Sequence, residues 1–104
     1  MAVPSQSIDI AELERAFLIS HQAMAKVKIM PKLNPVDEKR AHVMLDIAKR
    51  YVADGTYFKE KGDLLNAFGA LYYAHGWLDC GARIGLFDVD NDTRLFTVDP
   101  DDMP

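Results

Sequence analysis

His75, Asp79 and Arg83 recur at four-residue intervals, so on a helix they line one face a turn apart. An imidazole beside a carboxylate is the pair a general base needs, because the carboxylate orients the ring and biases its protonation. The plainer reading is a core histidine satisfied by Asp79 or a backbone carbonyl, with Asp79 and Arg83 as a helical ion pair. Asp54 falls on the apolar face of the preceding helix near Tyr51, and folding the two helices about Gly62-Asp63 brings Tyr51 level with Ala74. Tyr51, Asp54 and His75 are thus expected in one polar cluster, paired for structure or lining a cleft, since a buried ionisable group alone is costly. With Tyr57, the candidate binding residues are Asp54, Tyr57, His75, Asp79 and Arg83. None is assigned a catalytic role.

Asp88, Asp90 and Asp92 match the first, third and fifth ligand positions of a calcium-binding helix–loop–helix, with Asp99 at the twelfth. Thr93 stands where the sharp turn wants glycine, and Asp99 is short for a bidentate ligand. Pro100 leaves no room for an exiting helix, so a solvated acidic loop is expected. Arg15 and His21 fit the loose arginine-to-histidine spacing of HEPN ribonucleases, but six helical positions place them about 120° apart. No phosphate-binding glycine loop, Ser-His-Asp set or metalloprotease helix is present. His21, His42 and His75 are too scattered to argue for a metal, and no cofactor is expected.

The elements that must position these residues are three helices. Asp9 as N-cap, Glu12 closing a capping box and Ile8 stapling onto Leu13 start the first at Ile10. Ile10, Leu13, Phe17, Met24 and Val27 then share a face, Ser20 being its polar interruption, until Pro31 ends the helix. Asn34-Pro35 restarts it, with proline at the first position, where its missing N–H costs nothing. Val36, Val43, Met44, Ile47, Tyr51 and Phe58 keep one phase through Gly55, which predicts a single helix to about Lys61. Gly62 can cap it in the left-handed conformation, and Asp63 can cap the next. So short a connection makes an antiparallel αα-hairpin. The third helix is apolar on two sides: Leu64, Ala67, Phe68, Leu71, His75, Leu78 and Ala82 on one, Tyr73, Trp77, Cys80 and Ile84 on the other. Both sides must be covered. Leu95 to Val98 is apolar enough to dock on the second.

The expected fold is all-α: an antiparallel three-helix bundle, helices about 10–30, 35–61 and 64–85, over residues 1–87, with an acidic C-terminal extension over 88–104. A chain of 104 residues, 49% hydrophobic and 27% charged, suits one globular domain. A single cysteine, Cys80, gives no disulfide framework. The net charge of −4 is concentrated after residue 86 and no basic face appears, which counts against nucleic acid as partner. No apolar run reaches the roughly 20 residues of a membrane span, and the first ten residues lack a signal peptide's regions, so a cytoplasmic location is expected.

Asp54-Gly55-x-Tyr57-Phe58, Lys61-Gly62-Asp63, Asn66-Ala67-Phe68 and Tyr73-Ala74-His75-Gly76-Trp77-Leu78-Asp79-x-Gly81-x-Arg83-x-Gly85 resemble the archaeal domain of unknown function 357 over about Leu45 to Phe87. The resemblance implies a small all-helical archaeal cytoplasmic protein and carries no activity with it. The leading expectation is therefore a non-enzymatic protein-interaction or assembly module, a homodimer or the partner of another protein, anchored by Tyr73, Trp77 and Ile84. The alternative is a small-ligand or nucleotide-handling enzyme with a cleft around His75, Asp79 and Asp54.

Overall fold

The computed structural model describes residues 9–98. Asp9 Oδ1 accepts from the Glu12 N–H at 2.8 Å, and α1 runs Ile10–Lys26. The staple expected from Ile8 lies outside the described residues. α1 stops short of residue 30 because the chain after it is needed elsewhere: Lys28–Ile29 (β1) pairs antiparallel with Phe87–Asp88 (β2), Ile29 opposite Phe87. The Met30 N–H adds a bond to Leu86 O at 2.9 Å. An extended partner, rather than Pro31, ends the helix.

Asn34 Oδ1 accepts from the Asp37 N–H at 2.8 Å, with proline next in the chain, and α2 runs unbroken through Gly55 over Pro35–Glu60. The glycine is there for packing, since a Cβ at this position would lie 3.0 Å from Leu71 Cδ2. Gly62 takes φ +75°, Asp63 Oδ1 caps the Asn66 N–H at 3.2 Å, and α3 spans Leu64–Arg83. Gly85, at φ +85°, turns the chain so that the Leu86 N–H reaches Gly81 O at 2.9 Å.

The chain is all-α, its three helices packed on one another, as the sequence predicts, with a two-residue ladder besides. α1 lies on the α2–α3 hairpin through Leu13 and Phe17, which meet Ala67 and Leu71. Further along, Ala23 and Val27 join Ala48, Ala74 and Leu78, and this cluster also takes in Leu86, Phe87, Val89, Leu95, Phe96 and Val98. The shortest dimension is 17 Å, about two helix layers, so the hairpin is covered on one side by α1 and the segment that follows α3.

Two expectations about faces are corrected. Val36 and Val43, in phase with the rest of the α2 stripe, are 58% and 49% exposed; the buried residues of α2 are Ala41, Met44, Ala48 and Gly55. On α3 the buried set includes Ala67, Ala74 and Gly81. Small residues thus recur every seven positions on both helices, the 3.5-residue period that keeps one seam in register along two side-by-side helices. Val36 and Val43 are left outside that seam, while Met44, Leu71 and Leu78 are buried beside it. Second, Leu95 to Val98 does not dock on the Tyr73–Ile84 side but on the opposite one, along His75, Asp79 and Arg83. No described helix is long and apolar enough to cross a membrane.

Candidate functional site

His75, Asp79 and Arg83 do line one side of α3, and all three hold the same short segment. His75 Nε2 lies 2.7 Å from Leu95 O; a carbonyl only accepts, so Nε2 carries the proton, and the ring stacks on Phe96 at 5.6 Å. Asp79 accepts from the Thr97 N–H at 2.8 Å through one oxygen and from Thr97 Oγ1 at 2.6 Å through the other. Arg83 Nη1 donates to Thr97 O at 2.8 Å. Asp79 therefore orients Thr97 rather than the imidazole. The backbone carbonyl partner for His75 is the one the plainer sequence reading allows, but its source, Leu95, is beyond the reach of a helical pattern.

Tyr51, Asp54 and His75 do not form one cluster. Tyr51 meets the Tyr73 ring edge to face at 4.5 Å, so the level along the hairpin is as expected. His75, two residues from Tyr73, projects about 200° away around α3 and faces the other side. Asp54 is exposed and shares a shallow cleft of about 300 Å³ with Tyr51, Phe58, Asn66 and Tyr73. Tyr57 is 55% exposed, its ring against Phe58 and under Lys61 Nζ at 5.5 Å. Asp54 and Tyr57 thus belong to the end of α2, and His75, Asp79 and Arg83 to the clamp.

The acidic loop is tied down by its own backbone. Asp88 Oδ1 accepts from the Asp90 N–H, and Asp92 Oδ1 from the N–H groups of Arg94 and Leu95, both at 3.0 Å. The Leu95 bond, with that of Arg94 and the nearby charges of Lys26 and Arg94, outweighs desolvation and holds the Asp92 carboxyl below its ordinary value. Lys26 Nζ, at the end of α1, stands 3.7 Å from Asp92 and 3.9 Å from Asp90. Among the described residues no three His, Cys, Asp or Glu side chains converge as a metal set; Asp99 lies outside them. Arg15 and His21 are exposed on α1, the His21 ring stacked on Phe17.

The remaining candidates share the uncovered side of the hairpin. Tyr73 and Ile84 are 52% and 56% exposed, and half-buried Trp77 meets the Tyr73 ring edge to face at 6.2 Å. Beside Ile84 a groove of about 630 Å³ is lined by Val36, Val43, Met44 and Leu86, with Lys39 and Arg40 on its rim. Of the α2 stripe from Val36 to Phe58, Val36 and Val43 lie on this face, while Met44 is buried and Tyr51 and Phe58 pack against the core.

Comparison with curated proteins and with solved structures gives no match. A family model described as "Protein of unknown function (DUF357)" matches residues 17–87, from the middle of α1 through the hairpin to β2. That span holds the small-residue seam, the clamp side chains of α3 and the whole uncovered face. The chain belongs to this family of proteins of unknown function.

Proposed function

We propose that the chain is a non-enzymatic assembly module that pairs with a second copy of itself through the outer face of α2 and α3. One observation carries this reading: both hairpin helices turn small residues inward and leave Val36, Val43, Tyr73 and Ile84 about half exposed along one side. A contiguous apolar face of this kind marks an interaction surface. Two such faces laid together make a four-helix arrangement that buries both. With 26 residues in α2, the face is about 39 Å long and about 20 Å wide, close to the ~800 Å² per partner of a stable interface.

Twofold symmetry favours a second copy over an unlike partner. Tyr51 touches Tyr73, so Ile47 and Trp77, each four residues further from the Gly62 turn, stand level at the middle of the face. Arg40 and Asp54 lie seven residues to either side of Ile47, and two α2 helices paired antiparallel about it set the Arg40 of each copy beside the Asp54 of the other. The charges at the two ends of the face complement each other under that rotation.

Native mass spectrometry of gently purified protein, with no metal or ligand added, tests the reading directly. A dimer is expected, and Trp77→Ala should move mass to monomer while leaving the helical circular dichroism unchanged. A monomeric wild-type protein at tens of micromolar overturns the proposal, and an undiminished Trp77→Ala dimer removes Trp77 from the contact.

A further inference from the structure

On the far side of α3 from this face, a cavity of about 210 Å³ opens between α1, α3 and the segment after β2. Its walls are apolar, from Ile19, Leu71 and Leu95, and Ser20, His75 and Arg94 also line it. Ser20 is the anomaly. It occupies a core position of α1, is 5% exposed, and its hydroxyl makes no hydrogen bond to another described residue. Yet the oxygen is not sealed off among apolar atoms, so what remains open beside it is this cavity. A hydroxyl at a site where alanine would pack, left without a hydrogen-bond partner among the described residues, is placed to bond a guest.

The other polar groups say what kind of guest. Arg94 makes no ion pair within 4.0 Å among the described residues, and its charge acts on Asp92 only from a greater distance. The neighbouring Asp92 is committed through one oxygen to the N–H groups of Arg94 and Leu95, and its other oxygen faces Lys26. A guanidinium at the mouth of an apolar hollow selects an anionic head with an apolar body. His75 has Nε2 committed to Leu95 O, so its ring has Nδ1 left to offer. The volume is below the ~300 Å³ of pockets that take drug-sized ligands, which limits the body to a single ring or a short chain.

We propose that this cavity is a binding site for a small organic anion, its charged head on Arg94, its apolar part between Ile19 and Leu71, and a polar atom on the Ser20 hydroxyl. The proposal does not depend on the assembly reading, since Tyr73, Trp77 and Ile84 lie on the opposite side of α3.

Sodium benzoate is the probe, titrated into ¹⁵N-labelled protein, with benzamide as its uncharged counterpart. Saturable shifts are expected at the amides of Ser20, Leu71, His75 and Leu95. Affinity should be at least tenfold weaker for benzamide, and for benzoate with Arg94→Gln, an exposed side chain whose replacement leaves the fold intact. Ser20→Ala, which keeps the cavity's shape, should weaken benzoate severalfold. Shifts that rise linearly without saturating, that centre elsewhere, or that are the same for benzamide or for Arg94→Gln overturn the proposal.

Discussion

Asp79 and Thr97 are eighteen residues apart and joined twice, one carboxylate oxygen taking the threonine N–H at 2.8 Å and the other its hydroxyl at 2.6 Å. Charge-assisted bonds of this length are the stronger kind, and both close a long loop rather than a helical turn. Asp79→Ala should therefore cost about 1–3 kcal/mol of stability and speed hydrogen exchange at the Leu95 and Thr97 amides. Thr97→Val, which removes only the hydroxyl bond, should cost less. A double-mutant cycle reads the coupling through the hydroxyl, and additive effects would show that the Thr97 hydroxyl bond contributes nothing.

How far this was legible in the sequence differs from element to element. Local signals were enough for the helices: Asp9, Asn34-Pro35 and Gly62-Asp63 each cap the end they were expected to cap. They were not enough for the partners of His75 and Asp79, because a four-residue spacing says which residues share a face and not what lies across from it. The α2 stripe misled for a related reason. Hydropathy weights Val36 and Val43 above Ala41 and Ala48, yet helices that approach closely do so over small residues, so these two valines stand outside the seam while Met44 is buried. The seven-residue recurrence of Ala41, Ala48 and Gly55 was the usable signal. Asp54 and His75 were separated by direction rather than by level.

Two glycines of α3 make opposite predictions. A Cβ at Gly81 would run into the ring of Phe87, which is 1% exposed and cannot retreat. Gly81→Ala should destabilise by about 1–3 kcal/mol despite alanine's better helix propensity, and Phe87→Leu in the same chain should recover part of the loss. A Cβ at Gly76 meets nothing within 4 Å, so Gly76→Ala should stabilise by up to about 1 kcal/mol. Thermal unfolding of the three variants decides it. A stable Gly81→Ala would mean that Phe87 does not sit against that turn.

Asp92 should give the fold an acid limit. Its carboxyl is held below the ordinary value of 3.8 by the Leu95 N–H first, then by the Arg94 N–H and the charges of Lys26 and Arg94. A group whose pKa is lower folded than unfolded adds stability that is complete above the unfolded value and disappears as pH falls through the folded one. Stability should thus drop below the usual carboxylate range, and Asp92→Asn should flatten that part of the curve while lowering stability near neutrality. Chemical denaturation across that range checks the slope, and a direct ¹³C titration of the Asp92 carboxyl checks its cause. An ordinary midpoint there would detach the loop's bonds from acid sensitivity.

Arg40 and Asp54 offer the sharpest test of how two copies meet. Both are exposed, so neither is needed to fold the chain, and Arg40 has an intrahelical contact with Asp37 at 3.2 Å that its replacement loses in every assembly state. If α2 pairs antiparallel about Ile47, Arg40→Asp puts two carboxylates together at each end of the interface, and Asp54→Arg puts two cations there. Like charges set opposite each other across an interface are costly, so each single variant should weaken the dimer about tenfold or more. The double variant Arg40→Asp, Asp54→Arg restores opposite charges and should recover most of the affinity. Sedimentation equilibrium of the four proteins at low salt separates the outcomes. Recovery in the double variant fixes the antiparallel register, whereas additive losses would place the two residues apart and require the copies to meet in another orientation.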